Sequence, residues 1–359
     1  MKRGFWIWAI LAVIVALGAG VYAFRGELAM RLVERAATRG MQQDLTEKLP
    51  DGLHAIFCGT GSPLPDRGRA GPCLAVLAGD QLFVFDAGEG AAETLSLMGL
   101  TAGDIEAVYL THLHSDHFDG LAALALQHWA TGTARKPLQL IGPNGVSRLA
   151  AGLNEAYAID SGYRTAHHGP DVMPPEGAGL RAEEFAVPEG AEAVVLRDEG
   201  GVRISVFAVD HAPTQAVGYR IEYGGRSLVI SGDTSRSEAV VQNARGADLL
   251  VHEALSPQLN AIVQRAAEQG GRANVGAILH DILDYHASPE EAGAVAQEAG
   301  VGALALTHLV PQTPIPGLAS TFERDAKKHF SGPVWAMRDG EVISLPRAGG
   351  IERGRYLRF

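Results

Sequence analysis

The sequence has little cysteine and no excess of basic residues. Its 359 residues include two cysteines, Cys58 and Cys73, and 41 acidic against 30 basic side chains, for a formal net charge of −11. So few cysteines argue against a thiolate metal site or a thiol nucleophile. The acidic balance weighs against nucleic-acid binding, which depends on basic contacts. The sequence leaves open whether the two cysteines form a disulfide, as in an oxidising compartment, or remain two buried thiols.

Low-complexity tracts, repeats of residue identity and obvious linkers are absent from most of the chain. Between residues 51 and 347 the composition is that of one globular domain, in which glycines separate short apolar segments. About 300 residues is a usual size for a two-sheet α/β sandwich. Residues 348–359 follow this domain as a C-terminal tail.

Charged side chains are also missing from residues 5–24. Twenty residues in a helix are long enough to cross the ~30 Å hydrocarbon layer of a bilayer. The stretch is longer than the apolar region of a secretory signal, which is about 7 to 15 residues, and it has aromatic residues at both ends. We therefore predict an uncleaved membrane anchor over residues 1–24, with a cleaved signal sequence as the alternative.

The region after this span predicts a stalk and an orientation. In residues 25–50 the apolar Leu28, Leu32 and Ala36 recur at helical spacing, which predicts an amphipathic helix on the membrane or domain surface. Arginines follow the span and basic residues also precede it, so their count does not decide the topology. Because large domains are translocated largely regardless of charge, we expect the domain outside the cytoplasm.

Three histidines and two aspartates are concentrated within eight residues. The segment is His112-Leu113-His114-Ser115-Asp116-His117-Phe118-Asp119, and it follows apolar residues 107–110, which predict a buried strand. His112 and His114 are two residues apart, so in an extended chain they point to one side and can share an ion. Asp116 and His117 precede an apolar helix and can serve a second ion. An isolated His-x-His is more often a polar loop, but the full string predicts a two-metal site.

This string resembles the signature of the metallo-β-lactamase-fold hydrolases. That fold requires three later ligands, and His211, Asp233 and His308 follow apolar segments in the required order. The resemblance implies the following ligands: His112, His114 and His211 for one ion, Asp116, His117 and His308 for the other, and Asp233 as the bridge. Imidazole and carboxylate ligands suit two Zn²⁺ ions, with Mn²⁺ or Fe²⁺ as alternatives.

Smaller features resemble the ribonuclease Z and arylsulfatase-like branch of that family. They are the turn at residues 59–63 and the segment 69–72. Asp86 matches the family aspartate that orients a ligand histidine from outside the metal shell, with a strand-end cap as the alternative. The doublet His167 and His168 is a weaker candidate for the substrate entrance, because such pairs are often on the surface.

His286 matches an additional histidine that this branch places near the scissile group. There an imidazole can donate to a developing oxyanion or protonate the leaving oxygen. A helix-entry histidine bonded to backbone is the alternative. Glu253 is a candidate for orienting His286.

Short apolar segments alternate with helix signals through the domain. Gly79-Asp80, Gly224-Gly225 and Asp339-Gly340 each separate two apolar segments and predict hairpins. Ser288, with proline next and Glu291 three residues later, predicts a capped helix. Together with the resemblance, this pattern predicts an α/β fold, the αββα sandwich, preceded by an N-terminal transmembrane helix, with the ligands along one edge.

The implied chemistry is hydrolysis at a dinuclear centre. Two ions about 3.5 to 4 Å apart share a hydroxide, lower its pKa and polarise the ester that it attacks. No serine or cysteine nucleophile is then required, and the predicted catalytic residues are Asp116, Asp233 and His286. The β-lactamases with a similar histidine set lack the bridging aspartate, so antibiotic hydrolysis is disfavoured.

We expect a small anionic ester as substrate, either a phosphodiester or a sulfate ester. The main alternative is tRNA 3′ processing of the ribonuclease Z type. Residues 119–203, where that family inserts its tRNA-binding arm, have eleven acidic and seven basic side chains, which disfavours this alternative. Lactone or thiolester hydrolysis stays open, and a non-catalytic metal-stabilised domain is a third class. The sequence does not determine the oligomeric state.

Overall fold

The structure is a computed structural model that describes residues 2–41, 44–132 and 135–356. The chain divides into two compact units, residues 1–44 and residues 45–359, and each is described by itself. Residues 42 and 43 of the predicted stalk and residues 357–359 of the predicted tail lie outside the described residues.

The first unit consists of two consecutive helices, α1 (Lys2–Ala23) and α2 (Arg25–Met41). Backbone bonds from Phe24 N to Gly20 O (3.0 Å) and from Leu28 N to Phe24 O (2.9 Å) continue the helical pattern across their junction. Within α1, Trp6–Ala23 is long and apolar enough to cross a membrane. The predicted N-terminal helix is confirmed, and its insertion into a membrane stays a prediction.

The boundary between stalk and domain differs from the prediction. We placed it at residue 50, whereas α2 ends at Met41. Leu45 is fully buried in the second unit, and its N–H donates to Gly99 O at 3.1 Å. Because Leu45 packs in the apolar core, the domain begins there and not at residue 51.

The second unit contains fifteen strands and eight helices among its described residues. The strands are β1 (Gly52–Gly59), β2 (Cys73–Ala78), β3 (Gln81–Phe85), β4 (Ile105–Tyr109), β5 (Leu138–Pro143), β6 (Leu180–Phe185), β7 (Val194–Glu199), β8 (Val202–Val209), β9 (Ala216–Tyr223), β10 (Arg226–Ile230), β11 (Leu249–Leu255), β12 (Ala303–Val310), β13 (Val334–Ala336), β14 (Glu341–Pro346) and β15 (Glu352–Arg355). The helices are α3 (Ala91–Met98), α4 (Leu121–Thr131), α5 (Val146–His168), α6 (Glu238–Ala244), α7 (Pro257–Gln269), α8 (Ala273–Asp281), α9 (Pro289–Ala299) and α10 (Ser320–Ala326).

The strands form two sheets with related topologies. One sheet has the order β15-β14-β1-β2-β3-β4-β5-β6, and the other has the order β13-β12-β11-β10-β9-β8-β7. In each sheet an antiparallel hairpin continues into parallel strands, β3 to β6 in the first and β10 to β13 in the second. Because neighbouring parallel strands end at the same edge, the loops that follow them collect there.

The two sheets pack face to face over an apolar core. Phe85 and Tyr109 of the first sheet contact Tyr219 of the second, with ring centroids 5.1 and 5.7 Å apart in edge-to-face geometry. The Tyr219 hydroxyl donates to Leu110 O at 2.6 Å. The core therefore also positions the segment that follows β4.

Helices cover the outer faces of both sheets. Apolar residues of α3, α4 and α5 pack on the first sheet, and those of α6, α9 and α10 pack on the second. The capped helix is α9: Ser288 Oγ accepts from Glu291 N at 3.2 Å, and the Glu291 carboxylate accepts from Ser288 N at 2.8 Å. The predicted αββα sandwich and this helix start are confirmed.

Two of the three predicted hairpins are present. Gly79-Asp80 joins β2 to β3, and Gly224-Gly225 joins β9 to β10. The third was wrong, because Asp339-Gly340 connects β13 in one sheet to β14 in the other. Gly340 N donates to Phe57 O at 2.9 Å, so this turn is bonded to β1 rather than closing a ladder between its own flanking strands.

The two cysteines form a disulfide, and residues of the predicted C-terminal tail form a strand. Cys58 and Cys73 form a disulfide with a Cα–Cα distance of 5.0 Å, which answers the question that the sequence left open. β15 pairs with β14, so the first sheet continues past residue 347, where we placed the end of the domain.

Candidate metal centre

The histidine-rich string follows β4 at one edge of the sandwich. His112 and His114 lie in the extended segment after the strand, and a 3-10 turn, Ser115–His117, then presents Asp116 and His117. His112 and His117 are buried, whereas His114 and Asp116 are partly exposed. The string therefore places two ligand candidates on an extended segment and two on a 3-10 turn that precedes α4.

The three later candidates come from the second sheet. His211 follows β8 and Asp233 follows β10, so both lie just beyond strand ends. His308 differs from the prediction because it lies inside β12, at a break in register with β11. Its φ of +46° belongs to the left-handed region, which is costly for a histidine and turns the side chain out of the strand pattern.

The first group of ligand atoms comprises three imidazole nitrogens. His114 Nδ1 is 3.0 Å from His112 Nε2 and 3.3 Å from His211 Nε2. Nitrogens that bind one tetrahedral Zn²⁺ at 2.0 to 2.1 Å lie about 3.3 Å apart. These spacings match one ion held by three histidines.

The second group comprises Asp116, His117 and His308. Asp116 Oδ2 is 3.3 Å from His308 Nε2 and 3.5 Å from His117 Nε2. All three atoms lie within 4.8 Å of one another. The structure thus brings together the six residues assigned to two ions and separates them into the two expected groups.

Asp233 lies between the two groups. Its Oδ2 is 3.3 Å from His117 Nε2, 3.3 Å from His308 Nε2 and 3.9 Å from His112 Nε2. Burial raises the pKa of this carboxyl, but the neighbouring His308 and His117 outweigh burial and hold the pKa of Asp233 well below its usual value. The ionised carboxylate is in position to contact an ion in either group.

One buried atom tests whether these residues fit a metal. His117 Nε2 is buried and has no hydrogen-bond partner among the described residues, although it faces the carboxylates of Asp116 and Asp233. A buried polar atom without a partner is costly, and native proteins contain few of them. A divalent ion among these ligands satisfies the nitrogen and both carboxylates, so the donor set fits a metal centre.

Contacts outside the cluster hold two of the imidazoles. Asp86 accepts from His117 Nδ1 at 2.8 Å and from Thr111 N at 2.8 Å, which places it as predicted. His211 Nδ1 donates to Tyr285 O at 2.9 Å. Such outer bonds fix the tautomer and direct Nε2 toward the metal. Among the described residues, Asp86 and His308 are the two non-glycine residues with positive φ, and both serve this centre.

His286 lies beside the cluster and is paired with Glu253. Its Nδ1 is 2.8 Å from Glu253 Oε1, and its ring centroid is 5.1 Å from that of His211 and 5.7 Å from that of His308. Burial lowers the pKa of His286, but the Glu253 carboxylate outweighs burial and raises it to about 9. Both predicted residues are therefore at the site.

Two residues that contact the metal-ligand histidines were not predicted, and a predicted histidine pair lies elsewhere. Thr111 Oγ1 donates to Asp86 at 2.8 Å and lies 3.0 Å from His112 Nδ1. Its position directly before His112 is the signal by which the sequence could have identified it. Tyr285 packs on His211 with centroids 5.0 Å apart. His167 and His168 are exposed at the end of α5, not in a loop, and contact each other.

The comparison with known proteins agrees with this geometry. A family model described as a beta-lactamase superfamily domain matches residues 82–309. The chain belongs to this superfamily. It is a hydrolase of the metallo-β-lactamase fold, and its histidine and aspartate cluster suits divalent metal ions.

Similar proteins place the chain near ribonuclease Z. Ribonuclease Z of Mycobacterium bovis (strain BCG / Pasteur 1173P2) is 38% identical over 285 residues, which cover 79% of this superfamily member and 94% of that relative. The human tRNase Z short form has a TM-score of 0.58 at 21% identity over 82% of this chain and 99% of its own. The metallo-beta-lactamase fold protein YhfI of Bacillus subtilis has a TM-score of 0.56 at 22% identity over 81% and 99%. The predicted resemblance is confirmed for ribonuclease Z, and these comparisons add no support for its arylsulfatase-like part.

Proposed function

We propose that this chain is a metal-dependent phosphodiesterase of the ribonuclease Z type, which cleaves the 3′ extension of a precursor tRNA. The observation that carries the proposal is a complete histidine and aspartate cluster in a chain 38% identical to a ribonuclease Z over 79% of its length. The cluster supports metal-dependent hydrolysis, and the relatives support RNA as the substrate.

In this proposal the cluster holds two divalent ions. Their ligands are His112, His114 and His211 for one ion, Asp116, His117 and His308 for the other, and Asp233 for both. When bound, such ions lower the pKa of water toward neutrality and polarise the oxygen of the ester. The Asp233 carboxylate offsets their charge and sets their spacing, while Asp86 keeps the His117 imidazole aligned.

His286 is proposed to act on the leaving oxygen. Glu253 accepts from its Nδ1, which leaves Nε2 for the substrate, and a ring nitrogen of His286 lies within 4.8 Å of ligand atoms of His211 and Asp233. From this position the imidazolium can donate a proton to the oxygen that departs from phosphorus. Glu253 also accepts from Ala287 N and Thr234 N, which holds the carboxylate in place.

The substrate proposed here differs from our expectation of a small anionic ester. That expectation rested on the net charge of −11 and on the acidic region 119–203. The relatives are named for RNA and tRNA and favour the alternative. Net charge averages over the whole surface, whereas nucleic-acid binding depends on where the basic side chains lie.

A hydrolase of small anionic esters outside the cytoplasm is the second candidate. The Cys58–Cys73 disulfide favours it, because disulfides persist in oxidising compartments, and the apolar α1 is consistent with a membrane anchor. A protein in that location would not meet precursor tRNA. The two candidates share the metal centre and differ in substrate and place.

Metal analysis and a substrate panel test the proposal on the full-length chain in detergent. We expect two metal equivalents, cleavage of precursor tRNA and of bis(p-nitrophenyl) phosphate, and loss of both activities on chelation. Hydrolysis of p-nitrophenyl sulfate or of a lactone, with no cleavage of RNA, would replace the proposal with the second candidate.

The Asp233→Ala variant tests the bridge. It should bind less than two equivalents of metal and lose hydrolysis while its circular dichroism stays native, because the bridging carboxylate both spaces the ions and offsets their charge. Two tightly bound ions in this variant would contradict the assignment of Asp233.

A further inference from the structure

A groove of about 1240 Å³ opens beside the metal centre. Asp116 is one of its lining residues, so the groove is continuous with the second group of metal ligands. Its walls are the loop 62–71, the segment 312–316, the start of α3 and the turn after β13. A substrate bound at the metals can therefore extend into this groove.

Three exposed arginines line the groove without a carboxylate partner. Arg67 comes from the loop 62–71, Arg338 from the turn after β13, and Arg355 from β15. Within the described parts of the chain, none of the three has a carboxylate oxygen within 4.0 Å. By contrast, Arg353 on the same strand as Arg355 pairs with Glu341 at 2.7 Å. Three separate segments thus direct unpaired cations to one concave surface.

A fourth arginine holds the walls in place. Arg69 donates through Nε to Thr313 Oγ1 at 3.3 Å and through a terminal nitrogen to Met337 O at 2.7 Å, so it joins the loop 62–71 to two other segments. The Asp339 carboxylate accepts from Thr60 N at 3.0 Å and from Ala70 N at 2.6 Å, which ties both arms of the same loop. The groove is therefore built before any substrate binds.

The carboxylates of the groove divide into two sets. Asp116, Asp339 and Asp66 are engaged, the first in the metal centre, the second with the loop backbone and the third with Gly68 N at 2.8 Å. The others are Glu89, Glu93 and Asp119, which line the wall formed by α3 and the segment before α4. The groove thus offers both guanidinium donors and carboxylate acceptors to a bound molecule.

We propose that Arg67, Arg338 and Arg355 bind phosphates that neighbour the scissile one, so that the groove selects a single-stranded polynucleotide over a small ester. This inference rests on the proposed phosphodiesterase function. A small ester carries one anionic group, which the metals would bind, and leaves the three guanidinium groups of the groove without an anionic partner. A nucleotide strand supplies further phosphates for the arginines and exocyclic amines that can donate to the carboxylate wall. A concave wall also concentrates the field of its charges on the bound strand.

Salt dependence provides the test. Wild type, Arg338→Ala, Arg355→Ala and the double variant are assayed as full-length protein on a short single-stranded RNA and on bis(p-nitrophenyl) phosphate. Each lost contact should reduce the slope of log kcat/KM against log salt concentration by about 0.7 for RNA, mainly through KM. Hydrolysis of the small diester should not change. Arg338→Lys should restore part of the effect, and Arg265→Ala, which removes an exposed charge on α7, is the matched control.

A binding measurement separates this inference from the proposed function. Fluorescence anisotropy of the labelled strand is followed in an Asp233→Ala background, where turnover does not interfere. Weaker and less salt-dependent binding in the Arg338 and Arg355 variants would support RNA binding in the groove, even if the wild-type protein cleaves no RNA. Absence of RNA cleavage would contradict only the proposed function. Unchanged affinity and an unchanged salt slope in the double variant would contradict RNA binding by these arginines, and the proposed phosphodiester hydrolysis would still stand.

Discussion

At the scale of single residues, the position of His286 leads to a specific prediction about protonation of the leaving oxygen. Glu253 fixes its Nδ1 at 2.8 Å, and the ring stacks beside His308 outside both metal groups. If it protonates the leaving oxygen, His286→Ala should keep its metal content and lower turnover by roughly 10² to 10⁴. The loss should shrink for diesters with good leaving groups, which need no proton.

The control for this variant is His168→Ala, which removes an exposed imidazole at the end of α5. It should leave turnover unchanged. An equal loss across leaving groups in His286→Ala would indicate positioning of the substrate instead, and a loss of metal would make His286 a ligand.

His54 is a second residue whose protonation has a measurable effect, on stability rather than on chemistry. It is fully buried in β1, with Nε2 2.7 Å from Pro50 O and Nδ1 2.8 Å from Ser344 Oγ. Burial lowers the pKa of His54 below its ordinary 6.5. The unfolded chain therefore takes up a proton that the folded protein resists, so stability is present above about pH 6.5 and is lost as pH falls from there toward the folded pKa.

Urea unfolding of wild type and His54→Gln at about pH 8 and about pH 5 measures this contribution. Wild type should lose more unfolding free energy than the variant between the two values, because the variant has no proton to take up. Parallel losses in the two proteins would mean that His54 is not the titrating group.

At the scale of elements, the disulfide joins β1 to β2 at the base of the loop that lines the groove. Cys58 and Cys73 are separated by 15 positions, and both are buried. Closing a loop of about 15 residues restricts the unfolded chain by about 3 kcal/mol. The Cys58→Ala, Cys73→Ala double variant should lose about that much unfolding free energy while retaining its metal.

Reductant provides the internal control for this variant. It should lower the stability of wild type and have no effect on the double variant. Equal stability of the oxidised wild type and the double variant would show that the link between β1 and β2 adds nothing to the fold.

At the scale of the whole molecule, the two candidate functions differ in the compartment in which they place the domain. Residues 5–24 carry no charge, and α1 covers all of them except Phe24. Fusions of alkaline phosphatase and of green fluorescent protein after the C-terminus distinguish the two, since the first works outside the cytoplasm and the second inside. The small-ester candidate predicts an active phosphatase and a dark fluorescent protein, whereas the tRNA-processing proposal requires the reverse. The same fusions to a chain without residues 2–24 should be fluorescent and without phosphatase activity.

Bright fluorescence without phosphatase activity in the full chain would place the domain in the cytoplasm. The disulfide would then face a reducing compartment, and the small-ester candidate would lose its support. The tRNA-processing proposal requires this outcome, because precursor tRNA is in the cytoplasm, and an active phosphatase would contradict it.

Local patterns in the sequence determined much of this protein. The string from His112 to His117 predicted a metal site because its spacing alone sets the direction of neighbouring side chains on a strand and a turn. The start of α9 followed from Ser288 and Glu291 for the same reason, since a capping box involves residues three apart. The uncharged residues 5–24 likewise predicted a helix, and residues 5–23 lie within α1.

Only the tertiary structure decided how distant residues meet. The turn at Asp339 joins two sheets because its partners are on β1, and no pattern within the turn itself records them. His308 reaches the metal centre through a break in the register between β11 and β12, and Arg67, Arg338 and Arg355 come to one groove from three segments. These approaches depend on sheet order and on the packing of the core between the sheets, which are properties of the whole chain, whereas residue spacing describes only close neighbours.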